Sequence, residues 1–403
     1  MPLVKALKAS LRPYKYWFAT ALFSVLKRHP QPQRYPRGVN VIGYHRHVLG
    51  LGQALRTSIA ALKTTTIPFV VRDFQAGIAS HTTEGAARAD EVSHCRYGIN
   101  LMGINPDLLY RLPLWLKSDE WRTRYNIGYW FWELANFPTP WRYAKSIVDE
   151  IWVNTDFVKE ALSQSGIAVH KIPFAVEFAM PANPSLRDHY GIGPDDFVFL
   201  FSLDLDSYVE RKNPRAVIEA FLEAFGTTSG RPLLILKMVH GQRYPEVLMS
   251  LTKLIANHPR IRMIDEPYSA EQMRGLLQSA DCYVSLHRAE GLGLAMAESM
   301  YLGKPVIATA YSGNLEFMNA DNAALVPYEL IPVKPNQYPH AKDQVWAQPD
   351  IAQAARYMQR MLTDEPWRNH LATHARAYMR THHSLECMAK AIQARLDAIA
   401  RGT

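Results

Sequence analysis

Two doubly wound, Rossmann-like α/β domains facing each other, preceded by a basic extension, form the fold class that this sequence predicts. Three observations carry that expectation. Short, continuously apolar runs alternate with segments of helical spacing, the signature of parallel strands covered on both faces. The series runs twice, on either side of a Pro-, Asn- and Gly-rich stretch at 177–193. The charge is also unevenly spread, with the excess confined to the first forty residues.

In chain order, VNVIGY (39–44) reads as the first strand and ALRTSIAALKTT as its helix. IPFVVRDF (67–74), YGINLMGI (97–104), RYNIGYWFWEL (124–134), EIWVNT (150–155) and VHKIPFAV (169–176) follow as strands. NPDLLYRLPLWL and DFVKEALSQSG are expected to be helices. The second series has strands in DFVFLFSLD (196–204), PLLILKMV, IRMIDEP, CYVSLH, KPVIATA (304–310) and NAALVPY (322–328). Helices are expected at PRAVIEAFLEAF, YPEVLMSLTKLIANH and SAEQMRGLLQSAD, and from PDIAQ to the end. The predicted boundaries are 1–38 for the extension, 39–178 for the first Rossmann-like domain and 179–384 for the second. A terminal helix, 385–403, is expected to return to the first domain. Ligands in such folds sit beyond the carboxyl ends of the strands, which directs attention to the cleft between the domains.

The chain has 403 residues, 48% hydrophobic and 20% charged, enough to bury a sizeable core. Cys95, Cys282 and Cys387 lie far apart, which argues against a zinc site or disulfide framework and for a reducing compartment. No apolar run approaches the roughly 20 residues that span a bilayer. Residues 1–40 hold Lys5, Lys8, Arg12, Lys15, Lys27, Arg28, Arg34 and Arg37 and no acidic residue, so the rest of the chain balances to zero. The apolar, aromatic centre of this tail, Tyr16 to Leu26, has no small-residue cleavage site after it. It suits an interfacial anchor on anionic lipid or a helix docked on the protein's own surface. A nucleic-acid arm is disfavoured, because the body offers no second basic patch. The expected location is cytoplasmic, peripheral on the inner face of the cell membrane.

The most informative stretch is HRAEGLGLAMAESMYLGKPVIAT (287–309). CYVSLH ends a strand, a helix is expected from about Gly293 to Leu302, and Gly303 caps it. Glu290 then lies in the strand-to-helix loop and Glu298 more than one turn into the helix. Gly291 and Gly293 allow close backbone approach, and free N–H groups at a helix start suit a phosphate. A carboxylate at each end can accept from vicinal hydroxyls, one pair on a sugar and one on a ribose. A nucleotide-sugar has that layout. A surface helix position is the plain alternative for Glu298, but Leu294, Met296, Ala297 and Met300 leave it little polar face.

This segment resembles the Glu-x7-Glu motif of family 4 glycosyltransferases, retaining enzymes with the two-domain GT-B fold. VLGLGQALR (48–56), SYVERKNP (207–214), YSGNLEFM (311–318) and VWAQPD (345–350) resemble further segments of that family in the same order. The resemblance implies a hexosyltransferase that uses a UDP- or GDP-sugar, with no cofactor and no obligatory metal. It implies that Arg211 and Lys212 neutralise the leaving diphosphate, that Glu290 faces the transferred sugar and that Glu298 binds the ribose. The family pattern often spaces the Arg several residues before the Lys, whereas here they are adjacent; two solvated surface cations are the alternative. Amides near Gly291, Leu292 and Gly293 would contact phosphate or sugar. Ser312, Gly313 and Asn314 are donor contacts or an ordinary turn, and the base would lie near Ile264 to Tyr268. Gly50 and Gly52 let the first loop approach the diphosphate, or simply form a turn.

Relatives often carry a histidine after the strand that NIGYWFWEL matches. This chain has none between 95 and 169, and Glu133 there is either an acceptor-orienting base or a structural carboxylate beside Pro138. Trp130, His45 and His47 are candidate acceptor contacts, the histidines alternatively being partly exposed loop residues. Retention in this family needs no enzyme nucleophile, so none is assigned, and the two glutamates are not a hydrolase acid/base pair. The expected acceptor is a saccharide or lipid-linked saccharide in surface polysaccharide synthesis, such as lipopolysaccharide. A non-catalytic sugar-binding or scaffold protein of the same fold is the alternative. A phosphorylase is disfavoured by the short chain and the lack of a lysine context for pyridoxal.

Overall fold

The computed structural model describes residues 2–47, 50–75, 90–180, 187–189, 191–226 and 230–402, with side chains from residue 14 onward. Val48 and Leu49 of the first glycine loop and part of the expected linker lie outside the described residues. The chain divides into two compact units. The first is Met1–Trp132, Asn136–Ala175 and Leu385–Thr403; the second is Glu133–Ala135 and Val176–Ser384.

The first unit begins with α1 (Pro2–Val25), β1 (Val39–Gly43), α2 (Gly50–Lys63), β2 (Phe69–Asp73) and β3 (Ile99–Gly103). It continues with α3 (Pro106–Leu109), α4 (Asp119–Arg122), β4 (Tyr125–Tyr129), β5 (Glu150–Val153), α5 (Asp156–Ser163) and β6 (Ala168–Lys171). The strands pair in parallel in the order β2-β1-β3-β4-β5-β6. Val41, Leu101, Ile127 and Trp152 of the sheet pack with Leu55, Ile59 and Leu62 of α2. The single helix expected over NPDLLYRLPLWL is broken into α3 and a 3-10 turn at Leu112–Leu114. Pro113 explains the break: it lacks an N–H and pushes the residue before it out of helical geometry.

Three asparagines run level across the middle of this sheet. Asn40, Asn100 and Asn126 are register partners on β1, β3 and β4, and all three are fully buried. Asn40 donates to the Asn100 amide oxygen and Asn100 to that of Asn126, each at 2.8 Å. Asn126 donates in turn to the Trp121 and Ile147 carbonyls, so the buried amides are satisfied.

The extension does not stand apart from the first unit. Tyr16, Ala19 and Phe23, one helical stripe of α1, are buried, with Phe23 5.6 Å from Trp121 between ring centres. Arg28 pairs with Asp149 at 2.6 Å. The opposite side of α1 leaves Tyr14, Trp17, Phe18 and Val25 exposed. Among the described residues, no helix is long and apolar enough to cross a membrane.

The second unit contains β7 (Phe197–Asp204), α6 (Val209–Lys212), α7 (Pro214–Phe225), β8 (Pro232–Val239), α8 (Pro245–Ile255) and β9 (Ile261–Asp265). α9 (Ala270–Ser279), β10 (Cys282–Ser285), α10 (Leu294–Tyr301), β11 (Val306–Thr309) and β12 (Ala324–Val326) follow. The order is β12-β11-β10-β7-β8-β9, again parallel. Phe199, Phe201, Leu234 and Leu236 of the sheet pack with Val217 and Phe221 of α7. An antiparallel hairpin of β13 (Tyr328–Pro332) and β14 (Val345–Pro349) was not expected from the sequence. β13 is almost wholly exposed and ends in proline, so it carries no buried apolar run to mark it. α11 (Ile351–Thr363) and α12 (Glu365–His382) complete the unit. α13 (Leu385–Arg401) packs in the first unit, where Met388, Ile392 and Leu396 enter the core and Arg395 grips buried Glu150 at 2.6 Å.

Candidate active site

The strand order of the second unit reverses between β7 and β10, the position where such sheets leave a crevice at their carboxyl ends. The loops after β7, β10 and β11 meet there. α6 delivers Arg211 and Lys212, and the loop after β10 delivers Glu290, a residue only 6% exposed. Lys212 Nζ donates to one Glu290 oxygen at 2.5 Å, and Arg211 Nη1 lies 3.0 Å from the other. Burial alone would raise the Glu290 carboxyl. The Arg211 and Lys212 charges outweigh it and bring the pKa down to about 2. These two basic residues are not solvated surface cations. Arg211 is buried and also donates to the Ala289 carbonyl at 2.9 Å, while Lys212 keeps 22% of its side chain exposed.

Glu298 lies on α10 and is half-buried. Burial pushes its carboxyl up to about 7, against the opposing charge of Arg274. Tyr283, whose hydroxyl meets Ser202 at 2.9 Å, feels the charges of both Glu290 and Glu298. A carboxyl raised in the folded state binds its proton more tightly than in the unfolded chain. Its contribution is therefore full at low pH and is lost as pH rises from about 4.5 to 7. Allowing for partial exposure, the wild type should lose about 1–2 kcal/mol between pH 5.5 and 8 relative to Glu298→Gln. Urea unfolding of both proteins at the two pH values measures this, and identical pH dependence would overturn it.

The glycine-rich loop is shaped by contact. Gly293 caps α10 with φ +92°, a conformation that side chains with a Cβ rarely adopt. A Cβ on Gly313 would sit 2.2 Å from the Gly291 carbonyl oxygen, so the loops after β10 and β11 touch backbone to backbone. Gly313 N donates to the Glu290 carbonyl and Glu290 N to Ser312 Oγ, each at 2.8 Å. Asn314 is fully buried, donating to the Thr309 carbonyl at 3.0 Å and lying 3.1 Å from His287 Nε2. Leu292 is half-buried. Ile264 lies on β9 and Tyr268 just beyond it, with Lys237 Nζ 4.2 Å from the Tyr268 ring centre. Tyr208, His240 and Ser312 all have positive φ and follow β7, β8 and β11. Such strain in residues other than glycine gathers at ligand sites, and the surrounding fold must hold it.

Glu133 belongs with the second unit. It accepts a hydrogen bond from the hydroxyl of Tyr338, which lies between β13 and β14 and whose ring is 4.7 Å from that of Tyr208. Arg211 feels the Glu133 charge as well. Glu133 is therefore tied to the segment between β13 and β14. Sequence reasoning missed Tyr338, Tyr283 and His287, and of these only His287 fell within the stretch singled out.

In the first unit several expectations need correction. His45 and His47 are not partly exposed loop residues, since both are buried. His45 Nδ1 is 3.5 Å from Asp73, and burial holds the ring below its usual pKa despite Asp73 and Glu91. Trp130 is wholly buried, with its ring against Gly128. Gly50 opens α2, where an added Cβ would meet nothing within 4 Å, whereas Gly52, two residues on, is buried.

Residues 185–378 match the family of glycosyl transferases group 1. Among the solved structures of similar fold, three cover about nine-tenths of this chain. HepE of Anabaena, determined with UDP and glucose, has a TM-score of 0.66 at 14% identity, over 90% of this chain and 100% of that one. A glycosyltransferase of Rickettsia africae has 0.65 at 14%, over 92% and 100%. Sucrose-phosphate synthase of Thermosynechococcus elongatus has 0.64 at 16%, over 91% and 100%. The fold is GT-B. No curated protein matches the chain by sequence. In GT-B terms the two six-stranded parallel sheets are the two Rossmann-like domains, and the group 1 match covers most of the second.

Proposed function

We propose that this chain is a retaining, metal-independent glycosyltransferase that moves a hexose from a UDP- or GDP-sugar to a saccharide or lipid-linked saccharide in surface polysaccharide synthesis. One observation carries the reading: Glu290, Arg211 and Lys212 are in contact at the switch point of the second sheet. Cleaving the sugar–phosphate bond leaves negative charge on the terminal phosphate. A fixed cation beside it stabilises that charge as it forms. Glu290 holds the cations in place and accepts from sugar hydroxyls, and Glu298 accepts from the ribose. Lys212 supplies the charge and loop amides at Gly291 to Gly293 the hydrogen bonds. The acceptor hydroxyl attacks from the face the diphosphate leaves, so positioning replaces a protein nucleophile. Group 1 likeness in this unit and the UDP and UDP-glucose complexes of HepE support the choice of donor. Measuring nucleotide release from a panel of UDP- and GDP-sugars tests it. Release with one donor is expected, and binding without release for every donor would favour a non-catalytic sugar-binding protein.

The same proposal includes peripheral attachment to the inner face of the cell membrane. Trp17 is 72% exposed and lies beside exposed Phe18 and Tyr14 on a helix from the most basic part of the chain. Aromatic rings at the headgroup level with cations against anionic lipid suit such a surface. Trp17→Glu/Phe18→Glu should abolish flotation with phosphatidylserine vesicles and leave nucleotide release intact. Equal flotation of both proteins would overturn the attachment.

A further inference from the structure

Away from the candidate active site, three ligand-type side chains converge on the surface of the second unit. His370 and His374 stand one turn apart on α12, with ring centres 4.0 Å apart. Asp321, in the turn before β12, receives both: His370 Nε2 is 2.8 Å from one oxygen and His374 Nδ1 2.5 Å from the other. We propose that Asp321, His370 and His374 form a site for a first-row transition-metal dication of the zinc class.

The chemistry of the donors selects the ion. Two imidazoles and one carboxylate suit zinc and its neighbours, whereas magnesium and calcium want oxygen alone. Two histidines four apart on a helix share one face. The third ligand comes from a stiff turn. Asn319 N donates to Asn322 Oδ1 at 2.8 Å, and Asp321 N to Asn319 Oδ1 at 2.9 Å. Asn322 donates to the Phe317 carbonyl at 3.1 Å. Both supports are thus fixed before an ion arrives. Binding replaces the protons that now bridge the imidazoles and the carboxylate. A cavity of about 390 Å³ lined by Asp321, His374, Asn322 and Tyr378 leaves room for water or a further ligand on the metal. The ion would clamp the 319–322 turn to α12. Asp204, Asp206 and His240 also come together, but Arg243 and Tyr244 already occupy Asp206, at 2.6 and 2.9 Å, so that cluster is an ion-pair network.

Equilibrium dialysis of chelator-stripped full-length protein against zinc, and separately against magnesium, tests the site. One zinc per chain with micromolar affinity and no magnesium at the same concentration is expected, with a zinc-dependent rise in unfolding temperature. His370→Ala/His374→Ala and Asp321→Asn should each weaken zinc binding by about tenfold or more. All three side chains are exposed, so the variants should keep the wild-type circular dichroism. Zinc binding that is absent, or equal in wild type and the double variant, would overturn the proposal. Nucleotide release is not the readout, so the result is independent of the transferase reading.

Discussion

Lys212→Ala should lower kcat/KM for nucleotide release by about 10²–10³-fold, the usual effect of removing one fixed group that stabilises transition-state charge. Of the two basic residues, Lys212 is the one that combines partial exposure with the grip of Glu290. Arg211 is enclosed and bonded to the Ala289 and Ser207 carbonyls. Loss should therefore fall on kcat at Lys212, with the unfolding midpoint little changed. Lys212→Arg should restore part of the rate, because the charge returns with a different shape. Steady-state kinetics with the preferred donor measures both. A Lys212→Ala enzyme within about threefold of wild type would remove the leaving-group role.

Glu290→Gln should destabilise the second unit by about 3–5 kcal/mol, because it leaves the buried Arg211 charge without its partner. The sign with pH is set by the depressed carboxyl. Its contribution is complete above the ordinary carboxyl range and is lost as pH falls toward about 2, so the effect is full at neutral pH. The double variant Arg211→Met/Glu290→Leu should recover much of the stability and none of the activity, separating the structural from the chemical role. Urea unfolding reports the first and donor turnover the second. A Glu290→Gln loss under about 1 kcal/mol would show that Arg211 finds another partner.

The strands were legible because both sheets are parallel and covered, so that runs such as FVFLFSLD and PLLILKMV carry their burial openly. The stretch from His287 to Glu298 was legible too, since its glycines and its two carboxylates are local in sequence. What escaped was long-range or hidden by composition. Tyr338 reaches Glu133 from 205 positions away, and no local pattern announces such a pair. His45, His47 and Trp130 sit inside the protein although their residue types suit a binding loop equally well. The exposed strand β13 has no apolar alternation to reveal it.

The level row of Asn40, Asn100 and Asn126 has a consequence for how the first unit finds its structure. Apolar strands buried on both sides would tolerate sliding past one another, since valine and leucine are satisfied in many alignments. Amides are not. A shift of one residue along β1, β3 or β4 would separate donors from acceptors inside hydrocarbon, at about 1–3 kcal/mol for each orphaned group. Three polar residues thus act as an index mark, rejecting frame-shifted pairings that greasy contacts alone would accept.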